Sequence, residues 1–243
     1  MQSQIVKPNQ FYQIFAGQTL EWCSTDSKEL FEKNCNNLNQ RNRLEQFGWL
    51  TCAPITYQFN SEGFRDEEFD SRPAGIALGC SHTQGIGTHV ESTWPAQLGQ
   101  LLNKKIWNLG VGGGALDTCY RMLEYWIQHL EVKFVVCQVP DLSRFEVFDH
   151  HWTTILPSET GVEWMESYRK KWIIFEENSK LNQRKNLRAM QQICDQHRVP
   201  FFYDLEPFKN CNDNSNARDL LHHGKNYHQL LAKKMHEQIK GKI

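Results

Sequence analysis

The chain of 243 residues has no long apolar run. Its mean hydropathy is −0.62, and no stretch approaches the ~18 consecutive apolar residues that a bilayer span requires, so membrane insertion is not expected. Neither sign of charge dominates: 27 Lys and Arg stand against 28 Asp and Glu, a net charge of −1. Without surplus positive charge there is no field to gather phosphates, which argues against general nucleic-acid binding. Metal-ligand spacings are also missing. The eight cysteines are scattered with no Cys-x-x-Cys pair, and His150, His151, His222, His223 and His228 fit no His-Glu-x-x-His pattern, so neither a zinc cage nor a disulfide framework is expected. Residues 1–10 lack a basic stretch followed by an apolar core, the mark of a secretory signal. The expectation is a cytoplasmic protein in a reducing compartment.

What is present is a 40% hydrophobic chain, enough for one compact domain with an appendage or for two small domains. Residues 1–60 are polar and asparagine-rich, with one amphipathic segment from Ser27 to Phe47, and read as a lead-in packing on a main domain of residues 61–243. In that domain short apolar runs alternate with helical stripes. Gly75–Gly79, Ile106–Leu109, Phe134–Val139 and Val199–Tyr203 read as strands. Trp94–Leu102, Leu116–Leu130, a long region from Glu163 to His197 broken near Asn178, and Asn226–Lys240 read as helices. Residues 140–161 read as an irregular loop whose Phe148–Trp152 cluster suggests either a lid over a site or a buried plug. Strands alternating with helices imply an α/β fold, a three-layer α/β/α sandwich around a parallel sheet. Ligands then bind where the strands end, so chemically useful residues belong just after Leu78, Leu109, Val139 and Tyr203, and in one further loop near the C-terminus.

Those places carry unusual residues. After the first strand, Gly79-Cys80-Ser81-His82-Thr83-Gln84-Gly85-Ile86-Gly87 puts a serine on a strand-to-helix turn flanked by glycines. After the second, Asn108-Leu109-Gly110-Val111-Gly112-Gly113-Gly114 supplies a loop whose N–H groups can face an anion. Near the end comes Asp219-Leu220-Leu221-His222; an aspartate three residues ahead of a histidine can hold the ring in the tautomer a general base needs. A serine in a glycine loop is by itself more often structural, but base, orienter and anion cradle coincide here. Gly110–Ala115 also partly fits a dinucleotide fingerprint, although the carboxylate expected about 20 residues further on is missing.

Taken in order, these blocks resemble the SGNH or GDSL-type hydrolases over residues 60–235. Gly79–Gly87 is similar to their Gly-Asp-Ser-x-Thr-x-Gly-x-Gly block, Asn108–Gly113 to Asn-x-Gly-x-x-Gly, and Asp219–His222 to Asp-x-x-His. The resemblance implies a flavodoxin-like parallel sheet, Ser81 as nucleophile, His222 as base, Asp219 as its orienter, and the amides of Ser81 and Gly110 as an oxyanion hole. It further implies a serine hydrolase, an esterase or deacylase acting on a small-molecule or glycan ester, such as a carbohydrate O-acetyl group, with no cofactor. Two departures stand out: Cys80 replaces the aspartate before the nucleophile, and the Gly-x-Asn-Asp block is absent, the third strand ending Gln138-Val139-Pro140-Asp141. Gln138 is the candidate for the third oxyanion donor, and His82, His151 and Trp152 for substrate contacts. The missing block also motivates an alternative, a glycan- or ligand-binding module that keeps the fold with weak catalysis.

Overall fold

The computed structural model describes residues 13–149, 151–158, 163–205 and 215–243. The elements in chain order are β1 (Thr19–Leu20), α1 (Lys28–Asn36), α2 (Leu38–Gln46), β2 (Tyr57–Gln58), β3 (Ala74–Leu78), α3 (Ser81–Gln84), α4 (Trp94–Leu102), β4 (Ile106–Asn108), α5 (Leu116–Trp126), β5 (Val132–Gln138), β6 (Phe145–Asp149), β7 (His151–Ile155), α6 (Glu163–Ile174), α7 (Glu176–His197), β8 (Phe201–Asp204) and α8 (Lys225–Ile239).

Four strands form one parallel sheet in the order β4-β3-β5-β8. Numbered among themselves this is 2-1-3-4, the beginning of the flavodoxin-like order. All of β3 is buried, as expected of a strand covered on both sides. Alternate side chains divide it between two cores. Ile76, Leu78, Trp107, Val135 and Cys137 pack against α5 and α7 on one face, while Ala77, Ile106, Phe134 and Val136 pack against α4 and α8 on the other. This is the expected α/β/α architecture.

The lead-in differs in detail from a single amphipathic segment. Asn37 takes an extended conformation between α1 and α2, and its Oδ1 accepts the Gln40 N–H at 3.1 Å, ending one helix and capping the next. From here Cys23, Leu44, Trp49, Ile55, Tyr57 and Phe59 form a third core that encloses Ile86 and Leu220, one from each of the segments carrying the serine and the histidine. A buried polar network accompanies it. Arg218 donates to both oxygens of Asp26, at 2.9 and 2.7 Å; the Tyr57 hydroxyl donates to the same carboxylate and accepts the Gly87 N–H at 2.8 Å. Arg65 lies 4.1 Å from the Tyr57 ring centroid and donates to the carbonyls of Thr56, Gly85 and Thr88.

Two further differences follow from local chemistry. The expected irregular loop contains a hairpin, β6 with β7, because residues of high strand propensity, Phe145, Val147, Phe148 and Trp152 to Ile155, are concentrated there; Phe145 and Ile155 are paired and buried, and Glu146 ties the hairpin to α5 through Arg121 and Thr118. The break in the long helical region falls at Phe175, whose φ of −116° and ψ of 102° are extended, rather than near Asn178.

Asp26→Ala leaves the Arg218 guanidinium buried without its counter-charge, a change that typically costs about 3–5 kcal/mol. The expected outcome is a loss of that order in the free energy of unfolding by urea, and a loss below about 1 kcal/mol would remove the pair from the core.

Candidate active site

The serine turn is shaped by two close approaches. A Cβ on Gly79 would lie 2.0 Å from Thr83 Oγ1, and one on Gly110 would lie 2.4 Å from the Gln84 amide nitrogen, so only glycine lets the strand end and the next loop close onto α3. Ser81 opens that helix, and its N–H therefore has no intrahelical acceptor. Asn108 fastens the neighbouring loop: Nδ2 donates to Thr83 O at 2.8 Å and Oδ1 accepts the Gly110 N–H at 3.0 Å. Val111 N–H reaches back to Gly79 O at 3.0 Å.

From the far end of the chain, residues 217–222 fold over this turn. Arg218 N–H donates to Gly87 O at 2.9 Å. The Asp219 carboxylate divides its work. Oδ1 accepts the Leu221 and His222 N–H groups, both at 3.0 Å, and Oδ2 faces His222 Nδ1 at 2.6 Å and accepts the Thr25 hydroxyl at 2.7 Å. An ionised carboxylate only accepts, so Nδ1 carries the proton, and in the neutral ring Nε2 then presents a lone pair. Nε2 lies 2.8 Å from Ser81 Oγ. Ser81 is 7% exposed and Asp219 2%. The arrangement can draw the proton from Ser81 Oγ onto an imidazole that a buried carboxylate steadies.

Burial pushes the Asp219 pKa up, but the hydrogen bond and charge of His222, the His222 amide and the Thr25 hydroxyl outweigh it, leaving the carboxyl below its ordinary value. His82 shows the opposite environment. Its ring packs 4.9 Å from that of His222, 5.3 Å from His223 and 5.8 Å from Tyr227. Burial first, then the charges of His222, His228, His223 and Arg144, holds His82 well below the usual imidazole pKa. A neutral ring therefore walls the site beside the serine.

The structure thus brings together Ser81, His222, Asp219 and His82. Gly110 and Gln138 need correction as oxyanion donors. The Gly110 amide is spent on Asn108 Oδ1, whereas the Gly112 and Gly113 amides have no acceptor among the described residues. Gln138 is fully buried behind the site; Oε1 accepts from Thr83 Oγ1 and Trp94 Nε1, and Nε2 donates to the Tyr227 hydroxyl at 2.7 Å. Trp152 stands on the hairpin with the Arg121 guanidinium 4.8 Å from its ring. His151 begins β7, but its side chain, like all of His150, lies outside the described residues. His228 is a core residue whose Nδ1 accepts the Trp94 N–H at 3.1 Å. Thr25 and Asn108 are the additions. Asn108 carried a signal, an asparagine two residues before a glycine; Thr25 carried none.

No family model matches the chain, and no curated protein matches it. The solved structures similar to it are lipolytic proteins and esterases of the GDSL and SGNH type. A member of the lipolytic G-D-S-L family from Veillonella parvula DSM 2008 is 13% identical, with 71% of this chain and 100% of that one covered at a TM-score of 0.38. The psychrotrophic esterase EstA from Pseudoalteromonas sp. is 14% identical, with 68% and 96% covered and a TM-score of 0.36. The SGNH-hydrolase family esterase AlinE4 is 15% identical, with 71% and 80% covered and a TM-score of 0.35.

A carboxyl whose pKa is lowered by folding adds stability that is fully present above its ordinary value of 3.8 and is lost as pH falls through the lowered folded value. Thr25→Val removes one of the donors responsible. The expected outcome is a higher Asp219 pKa by carboxyl NMR titration and a shallower loss of stability below about pH 4; an unchanged pKa would remove Thr25 from the carboxylate's surroundings.

Proposed function

We propose that this chain hydrolyses an acyl ester through a covalent acyl-enzyme on Ser81. The observation that supports this most is the unbroken line of hydrogen bonds from Thr25 through Asp219 and His222 to Ser81 Oγ. In this reading His222 Nε2 takes the Ser81 proton as Oγ attacks the ester carbonyl, and Asp219 stabilises the imidazolium that forms. The imidazolium returns the proton to the departing alcohol. Water then enters, His222 removes its proton, and the acid is released as Oγ is restored. The negative charge on the former carbonyl oxygen falls to the Ser81 amide and to the amides of Gly112 and Gly113. Carbohydrate O-acetyl esters are one class of substrate compatible with this chemistry.

A second reading, a ligand-binding module with weak catalysis, is favoured by the end of β5, where Gln138 is committed to the core and Pro140 offers neither an N–H nor a polar side chain. Loss of one oxyanion donor typically costs about 100- to 1,000-fold in turnover.

A fluorophosphonate probe separates the two: the enzyme takes up one equivalent on Ser81, and the module takes up none. Turnover of p-nitrophenyl acetate is expected to drop at least ~1,000-fold in Ser81→Ala and in His222→Ala. Equal rates for parent and Ser81→Ala would end the proposal.

A further inference from the structure

Beyond the triad, the edge of the sheet that carries Ser81 holds a cation, Arg144, to which the described residues offer no counter-charge. Arg144 follows β5 in a turn closed by its own N–H on Asp141 O at 3.2 Å. Its Nη1 reaches Gly114 O, in the glycine loop after β4, at 3.4 Å, longer than an ordinary hydrogen bond. Its Nε is buried and has no partner among the described residues. The carboxylates adjacent in sequence are committed elsewhere: Asp141 Oδ1 accepts the amide and hydroxyl of Ser143 at 2.8 and 2.6 Å, and Glu146 is held by Arg121 and Thr118. Other arginines show what this chain does with a buried guanidinium. Arg218 is paired with Asp26, Arg121 with Glu146, and Arg65 is ringed by carbonyls. Arg144 is only partly buried, and Arg65 and Arg121 also leave one buried nitrogen each without a partner; what sets Arg144 apart is that, among the described residues, neither a carboxylate nor a ring of carbonyls engages its fork, which leaves it open to a ligand.

The place is also informative. Arg144 contacts the loop that supplies the unengaged amides of Gly112 and Gly113, and its charge is felt at His82, whose ring touches that of His222. One open positive charge matches a monoanion, and the planar fork of a guanidinium fits the two oxygens of a carboxylate.

We propose that Arg144 binds a carboxylate carried by the substrate, so that the ester cleaved at Ser81 belongs to an acidic molecule. This rests on the ester-hydrolase reading above and names the substrate class for it. Two matched ester pairs test it, one with the carboxylate on the acyl side (p-nitrophenyl pentanoate against mono-p-nitrophenyl glutarate) and one with it on the alcohol side (ethyl acetate against acetyl glycolate), each corrected for spontaneous cleavage. In the parent protein the acidic member of at least one pair is expected to show the higher kcat/KM. In Arg144→Gln the ratio within that pair is expected to fall about 10- to 100-fold, chiefly through KM, with Arg144→Lys in between. No preference in either pair, or a ratio unchanged in a folded Arg144→Gln protein, overturns the inference. Calorimetry of glutarate and acetyl glycolate on Ser81→Ala, with and without Arg144→Gln, distinguishes the two failures. Carboxylate affinity that depends on Arg144 in a chain that hydrolyses no ester would end the hydrolase reading and leave the arginine's role standing; affinity indifferent to Arg144, or absent, in such a chain would end both.

Discussion

The Asp26–Arg218 pair sits where three stretches of chain meet. Asp26 adjoins Thr25, whose hydroxyl reaches Asp219; Arg218 precedes Asp219 and gives its N–H to Gly87 O, beyond the serine helix. Tyr57 closes the circuit from the Asp26 carboxylate to the Gly87 N–H. Holding two charges in a dry core is not in itself stabilising, since desolvation offsets most of the attraction. What it does is penalise every alternative arrangement, because moving either partner strands the other. The 2.8 Å approach of His222 to Ser81 spans residues 141 apart in sequence, and the pair anchors both sides of it.

Within that frame the Asp219 turn carries local strain. Leu220 has a φ of +58°, a left-handed conformation that costs a side-chain-bearing residue about 1–2 kcal/mol. The Leu221 and His222 N–H groups, donating to Asp219 Oδ1, and the Leu220 N–H, donating to Ala217 O at 2.9 Å, hold it there, while Leu220 itself is buried in the lead-in core. The strain turns the chain sharply enough for the same carboxylate to cap the turn with one oxygen and meet the imidazole with the other. Packing of the N-terminal region is therefore coupled to the direction in which His222 points.

This coupling explains what sequence reading reached and what it missed. Strands and helices of the sheet were legible because burial on two faces leaves continuous apolar runs and helices leave stripes, and the rule that ligands gather at strand ends then directed attention to Ser81, Asp219 and His222. Thr25 was not legible: its bond to Asp219 crosses 194 positions, and a threonine in the turn between β1 and α1 has no pattern of its own. The commitment of the Gly110 amide is in principle legible, since asparagine side chains commonly bond the backbone two residues on. The direction of Gln138 is not legible, because a polar residue at a strand end can face either the site or the core. Its neighbours Thr83, Trp94 and Tyr227, which decide the matter, come from separate parts of the chain. The hairpin at 145–155 reads as a loop from sequence because Phe145, Phe148 and Trp152 fall three and four apart, so no two-residue period marks the strands.

With Gly110 and Gln138 removed from the oxyanion hole, the proposed reaction depends on backbone groups, and their rigidity becomes the relevant quantity. Dipoles stabilise a developing charge in proportion to how little they must reorganise. The glycine loop would be a poor candidate if it were held at one end only, since glycine loses much freedom on ordering. It is instead pinned along its length. Asn108 bridges its start to Thr83 O and the Gly110 N–H, Val111 N–H is fixed to Gly79 O, and Gly114 N–H returns to Val111 O at 2.9 Å. Between those anchors only the Gly112 and Gly113 amides remain unspent among the described residues. A loop in which every amide but two is committed leaves those two with a nearly fixed direction, which can offset the lack of a side-chain donor at the end of β5.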